Sequence, residues 1–216
     1  MYMLHSLQTA PAAEPELLGD LNPLLDQIGS PDGLAALAGS RDPLTLGTVR
    51  TAAGLRTFLG EYHTRILQPL ELPAIQRAFV HAGRNELREL IAFDQSLAPE
   101  MTLKDFASAS RLVGLGQLQR LRPLRDQRLV QRYLAAVEQG TANGWHTLAY
   151  GLTLAVYYLP LRQGLIGYAQ RTTRGFIQSA ARSLELSQTE SDSLVEEFSA
   201  HLPVIVEPLL PTGIIS

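Results

Sequence analysis

The sequence predicts an all-α fold, a single-domain helical bundle of about 8–10 helices, and three observations predict it. First, Leu161, Leu165, Tyr168, Thr172, Phe176, Ala180 and Leu184 recur every three or four residues, the repeat that turns one stripe of a helix toward a core. Second, no β-branched segment with period-2 alternation occurs outside Val204-Ile205-Val206, so strands are not expected. Third, Gly, Pro and hydroxyl residues fall where helices begin and end. At 216 residues and 45% hydrophobic, the chain is long enough to bury a substantial core.

Residues 1–13 read as a flexible leader rich in Ala and Pro, 14–202 as one all-α domain, and 203–216 as an apolar, proline-containing C-terminal tail. Within the domain, EPELLGDLNPLLDQIG at 14–29 has apolar pairs at helical spacing interrupted by Pro23, which fits one short or kinked helix. Ser30-Pro31 has the form of an N-cap followed by proline at the first helical position, and Gly39 stops a short helix through LAALA. TVRTAAGLRTFLGEYHTRIL then sets Val49, Ala53, Leu55, Phe58, Leu59, Tyr62 and Ile66 on one broad face, an amphipathic helix ended by Pro69. Pro73 to Ala82 and Asn85 to Ser96 form a helical hairpin about Gly83.

Thr102 and Asp105 offer a capping pair for a helix through Leu121. Inside it, Gly114 and Gly116 each cost roughly 1 kcal/mol against alanine, which indicates close helix packing or a kink. Leu124 to Gln139 reads as a basic helix stopped by Gly140, and the turn TANG leads into His146. An apolar helix runs from there to Pro160, and the long helix of 161–184 follows. Ser187-Gln188-Thr189-Glu190 then has the pattern of a capping box, with the serine oxygen and the glutamate each serving an orphan amide. In the tail, Pro203, Pro208 and Pro211 prevent a continuous helix while most other residues are apolar. Such a tail favours burial, either on the chain's own core or in a partner's groove.

Composition narrows the functions. A net charge of −3 gives no general reason to expect nucleic acid, and the basic residues are nearly all arginine, with Lys104 the single lysine. Without cysteine there are no disulfides, thiolate metal sites or cysteine nucleophiles. The N-terminus lacks the basic start and apolar run of a signal peptide, so a cytoplasmic location is expected. The most apolar window, Thr147 to Leu161, is interrupted by Pro160 and falls short of the roughly 20 residues that span a bilayer, so no membrane association is expected.

Catalytic signatures are missing as well. His5, His63, His81, His146 and His201 are scattered, at neither the Glu-x-x-His nor the His-Glu-x-x-His spacing. There is no Walker motif, dinucleotide fingerprint or serine nucleophile elbow. His146, opening an apolar helix, reads as a structural imidazole that caps backbone or bonds a neighbouring helix. Arg111, Arg120, Arg122, Arg125, Arg128 and Arg132 read as a solvated face around a turn or as a footprint for an anionic partner. Opposite the apolar stripe of 161–184, Arg171, Arg174, Gln178 and Arg182 form a second face, open to solvent or to a partner.

From His146 onward these residues accumulate into a resemblance. A His, an apolar helix with a Tyr150-Gly151 step, and a long helix ending in Arg182-Ser183-Leu184-Glu185-Leu186-Ser187-Gln188-Thr189-Glu190 resemble the urease accessory protein family UreF. Upstream, LGTVRTAAGLRTFL and LELPAIQRAF are similar to the family's second helix and the Leu-Pro segment after it, and FDQSLA to its following helix. The chain departs from the pattern in three places. SPDGLAALAGSRDP replaces the family's N-terminal glycine-aromatic motif, the DFASASRLVGLG region has no Glu-Leu-Arg element, and Glu185 stands where the family has proline in the Arg182 loop.

The resemblance implies a non-enzymatic all-α scaffold without a cofactor. It implies a homodimer that binds the accessory protein UreD (also called UreH) and with it recruits the GTPase UreG, which delivers nickel to the urease apoprotein. On this reading Arg171, Arg174, Arg182, Gln188 and the tail residues Val204, Ile205, Leu209 and Leu210 meet partners. His146, Tyr150, Gly151, Leu186 and Ser187 are the structural family motif. The chain clusters no imidazole or thiolate ligands of the kind nickel prefers, so it holds the delivery machine together rather than the metal. Two alternatives stand beside it: a helical adaptor that kept the fold but lost urease partners, and a small-ligand-binding bundle with Trp145, Tyr150, Tyr157 and Tyr158 lining a pocket.

Overall fold

The first helix of the described residues does not stop where its proline predicts. In the computed structural model, which describes residues 49–97 and 107–210, α1 (Ala52–Tyr62) is opened by Thr51, whose Oγ1 accepts from the Gly54 amide at 3.0 Å. It buries Leu55, Leu59 and Tyr62, while Ala53, expected on that face, is exposed. The chain then runs through a π-helical segment (His63–Glu71) that contains Pro69 and passes directly into α2 (Leu72–Gly83). In an α-helix a proline ring clashes with the carbonyl four residues back and removes a hydrogen bond. The wider i→i+5 turn moves that carbonyl away, so the helix survives its proline.

Further boundaries shift for local reasons. Asn85 takes a left-handed conformation (φ 57°) in the turn after α2, so α3 begins later than expected (Leu87–Ser96). α4 (Ala107–Arg120) is followed by turns around Pro123, and α5 is therefore shorter than its basic stretch (Arg128–Glu138). Gly140, at φ 72°, stops it. α6 (His146–Val156) and α7 (Leu161–Ala181) are joined by a tight turn. α8 (Gln188–Ser199) carries both halves of the capping box: the Glu190 amide donates to Ser187 Oγ at 3.2 Å and the Ser187 amide to Glu190 Oε2 at 2.9 Å. The Ser187 hydroxyl also donates to Glu190 Oε2, at 2.7 Å, and this bond, with that from the Ser187 amide, holds the Glu190 carboxyl below its usual range. Val204-Ile205-Val206 is helical, within α9 (Leu202–Val206), and a 3₁₀ turn (Glu207–Leu209) follows. No strand occurs among the described residues.

The readings at 1–13, 14–29 and 30–39, the Thr102 and Asp105 capping pair, and the tail beyond Leu210 lie outside the described residues. Every apolar position named on α7 is buried, and Leu184 beyond its end is half-buried. Apolar side chains gather into two clusters. The first joins α1, the π segment, α7, Leu194 of α8 and α9. The second joins α3, α4 and α5 with Trp145. α2 and α6 run between them and feed both: Ile75 and Tyr150 face the first cluster, Ala78 and Leu148 the second. Their backbones meet at Gly151, where an added Cβ would lie 2.4 Å from the Ile75 carbonyl. The described part of the tail packs on the first cluster, with Leu202 and Val206 fully buried and Ile205, Leu209 and Leu210 against it.

Candidate functional site

His146 opens α6 in the interior, 1% exposed, and joins two other helices. Its Nδ1 lies 2.7 Å from Ser110 Oγ of α4 and its Nε2 2.7 Å from the Tyr168 hydroxyl of α7. Tyr168 donates in turn to Glu71 Oε2 at 3.0 Å, and Tyr62 donates to the same oxygen at 2.6 Å. An ionised carboxylate only accepts, so both tyrosine protons point to Glu71. Tyr168 Oη is then left to accept from Nε2–H, and Nε2 also lies 4.0 Å from Glu71 Oε1. The order serine, imidazole, hydroxyl, carboxylate has the composition of a nucleophilic relay. Ser110, His146, Tyr168 and Glu71 are all buried, however, and a relay needs a substrate's approach. Here the four groups join α4, α6, α7 and the π segment.

His63, beside them, has its Nε2 2.8 Å from Thr173 Oγ1 and its ring edge-on to Phe198 at 5.2 Å. Burial pushes its pKa down to about 4, against the opposing pull of the Glu71 charge. In the other cluster, Asp94 is fully buried. The backbone amide of Gly144 (2.8 Å) and the hydroxyl of Tyr133 (2.6 Å) donate to its Oδ2, and the backbone amide and side-chain amide of Asn143 donate to its Oδ1. Trp145 Nε1 bonds the Asp94 carbonyl at 2.9 Å. Burial, then the Asp94 charge and hydrogen bond, raise the Tyr133 pKa well above its usual value.

None of these carboxylates, and neither Ser110 nor Tyr168 as a polar partner, was singled out from the sequence. A signal was present: Glu71 and Asp94 are lone acids in the apolar contexts LQPLELP and LIAFDQSL, where a carboxylate must find donors.

The expected partner residues distribute unevenly. Arg174 and Arg182 are exposed and, with Gln188, edge a cleft of about 500 Å³ between α7 and α8, floored by Ile177 and Val195. Arg171 is half-buried and lies outside the cleft's lining. Glu185 follows at φ 53°, a conformation closed to proline. Leu186 packs on the first cluster, and Ser187 is committed to the capping box. Of the four tail residues expected to meet partners, Val204 is exposed, at 76%, whereas Ile205, Leu209 and Leu210 are half-buried.

Of the other features, Tyr150 donates to the Gly164 carbonyl at 3.1 Å. Trp145 and Tyr150 are buried, whereas Tyr157 and Tyr158 are exposed, so these four aromatics line no common pocket. Among the basic-turn residues, Arg122 pairs with Glu138 and Arg111 sits 5.9 Å over the Trp145 ring. Among the described residues no three of His, Asp and Glu are placed to hold a metal ion, and no helix is long and apolar enough to cross a membrane.

These features define a class: an all-α bundle whose buried polar groups tie helices together and whose surface presents an arginine-edged cleft. The UreF family model matches residues 49–199. The chain belongs to the UreF family, the urease accessory proteins, a family of helpers rather than catalysts. No curated protein matches it.

Proposed function

We propose that this protein is a scaffold of urease maturation that bridges a UreD/UreH-type accessory protein and a UreG-type GTPase while nickel is delivered to the urease apoprotein. The family match across residues 49–199 carries the reading. The surface chemistry fits it. Arg174 and Arg182 stand exposed along one cleft, and a planar guanidinium pairs with a partner's carboxylate through two parallel hydrogen bonds. His63 and His146 are each committed to hydroxyl partners inside the bundle, which suits a holder of proteins rather than a ligand of nickel. The protein acts as a homodimer, and Val204, with the tail beyond it, extends the partner surface.

The test is reconstitution. The purified chain, the UreD/UreH-type protein and the UreG-type GTPase should co-elute as one complex on size exclusion, and failure of the wild-type chain to join either partner would end this reading. Arg182→Ala should weaken assembly with the GTPase while stability stays within about 0.5 kcal/mol of wild type, the usual limit for an exposed side chain. Arg182→Lys should not restore it; full rescue by lysine would mean that charge alone matters.

A further inference from the structure

Two residues that work against their own local structure line one cleft. Tyr158 ends α6 at φ 54°, with its side chain 89% exposed. Its amide donates to the Ala155 carbonyl at 3.1 Å and the Leu159 amide to the Leu154 carbonyl at 2.9 Å, the bond pattern of a helix end whose left-handed residue is ordinarily glycine. α5 follows that rule with Gly140. A bulky aromatic there strains the backbone, and one held almost wholly in water gives the fold nothing to offset the strain.

Arg128 is the first residue of α5, a helix with no acidic residue in its first turn and no side-chain cap. A cation at that end opposes the helix dipole. Tyr158 and Arg128 line the same cleft, of about 330 Å³, together with Asn85 and Asp126. Arg84 and Arg125, next in sequence to the lining residues Asn85 and Asp126, are both exposed. None of the three arginines joins an ion pair among the described residues. Within the lining Arg128 and Asp126 balance; with the sequence neighbours counted, three arginines stand against Asp126 and Glu86, the latter bonded to His81, so arginines are in excess here on a chain whose net charge is −3. Conflict between local preference and placement is the physical mark of a residue kept for something outside the fold.

We infer that this cleft is an interaction surface for an acidic polypeptide segment of a urease accessory partner, which rests on the scaffold reading for the partner. The segment's carboxylates pair with Arg125 and Arg128, and an apolar side chain stacks on Tyr158. Tyrosine and arginine are the residues that most often dominate binding at such surfaces, and the local positive field draws an acidic chain to this patch.

The test uses variants that help the fold and harm the surface. Tyr158→Gly restores the residue its backbone prefers, and Arg128→Glu places an acid at the start of α5. Both should melt at or above the wild-type temperature. Binding of the full chain to the purified UreD/UreH-type protein and UreG-type GTPase should fall about tenfold or more for one of them. The loss in Arg128→Glu should shrink as salt is raised, and Tyr158→Phe should bind as wild type does. If the wild-type chain binds and both variants bind equally well, this surface is wrong and the scaffold reading stands. A lowered melting temperature in both would assign the two residues to the fold and overturn the inference. If the wild-type chain binds neither partner, the scaffold reading falls and takes this inference with it.

Discussion

Glu71 and Asp94 are buried to 1% and 0% exposure, one beside each apolar cluster, and they are held by different kinds of donor. Asp94 faces the fixed backbone amides of Asn143 and Gly144 as well as the Tyr133 hydroxyl. Glu71 receives the hydroxyls of Tyr62 and Tyr168, with His146 behind. An amide N–H cannot turn round, whereas a hydroxyl proton rotates to suit its neighbour. One half of the molecule is therefore fastened by a rigid clasp between α3 and the loop before α6. The other is joined by a chain of groups that can re-orient together.

The comparison breaks most sharply at the carboxylates themselves. Asp94→Asn sets an NH₂ against donors on whichever side it turns, and should cost at least about 3 kcal/mol in urea unfolding. Glu71→Gln should cost only about 1 kcal/mol, because its tyrosines can accept as well as donate. Equal losses would show that the type of donor is irrelevant.

Acid should act through the first half. With its pKa near 4 in the fold against 6.5 when unfolded, His63 is kept neutral by the native state while the unfolded chain takes up a proton. Stability should fall as pH drops from about 6.5 to 4, by roughly 3 kcal/mol from this group, and level off below. His63→Gln should flatten that window. An unchanged slope in thermal melts from pH 7 to 4 would assign the acid sensitivity elsewhere.

The smallest effects sharpen the clasp. A Cβ on Gly114 would lie 2.0 Å from the Gly144 carbonyl oxygen and 2.8 Å from the His146 amide, backbone that Asp94 holds in place. Gly114→Ala should cost about 2 kcal/mol. Gly116 meets nothing within 4 Å, and its alanine variant should gain up to about 1 kcal/mol in melting experiments.

Helix periodicity and capping were legible in the sequence because both are local. The α7 stripe, the Ser187 box and the Gly140 stop each need only a few neighbouring residues to be recognised. Gly114 was recognisable as a packing or kink position, and the close approach of the Gly144 loop decides between them. Pro69 misled because proline forbids an α-turn, not a π-turn. The buried acids went unread because their partners are remote: Asp94 reaches Gly144, 50 residues on, and Tyr168 reaches Glu71 across 97. At the candidate surface, the arginine stripe identified Arg174 and Arg182 as outward-facing. It could not separate Arg171 from them, since half-burial depends on what packs alongside.

The π segment has a mechanical consequence for the whole molecule. In an α-helix nine residues make about two and a half turns and end on opposite sides. The slacker π winding brings them closer to two full turns, so Tyr62 and Glu71 meet on one side. The segment thus works as a phase shifter in a single helical shaft running from Ala52 to Gly83. Upstream of it the shaft meets α7 and α8, and downstream it packs foremost on α6 while still touching α7 and α3. Removing one residue from that segment would rotate α1 against α2 by about 100°, leaving one shaft unable to mesh with both halves at once.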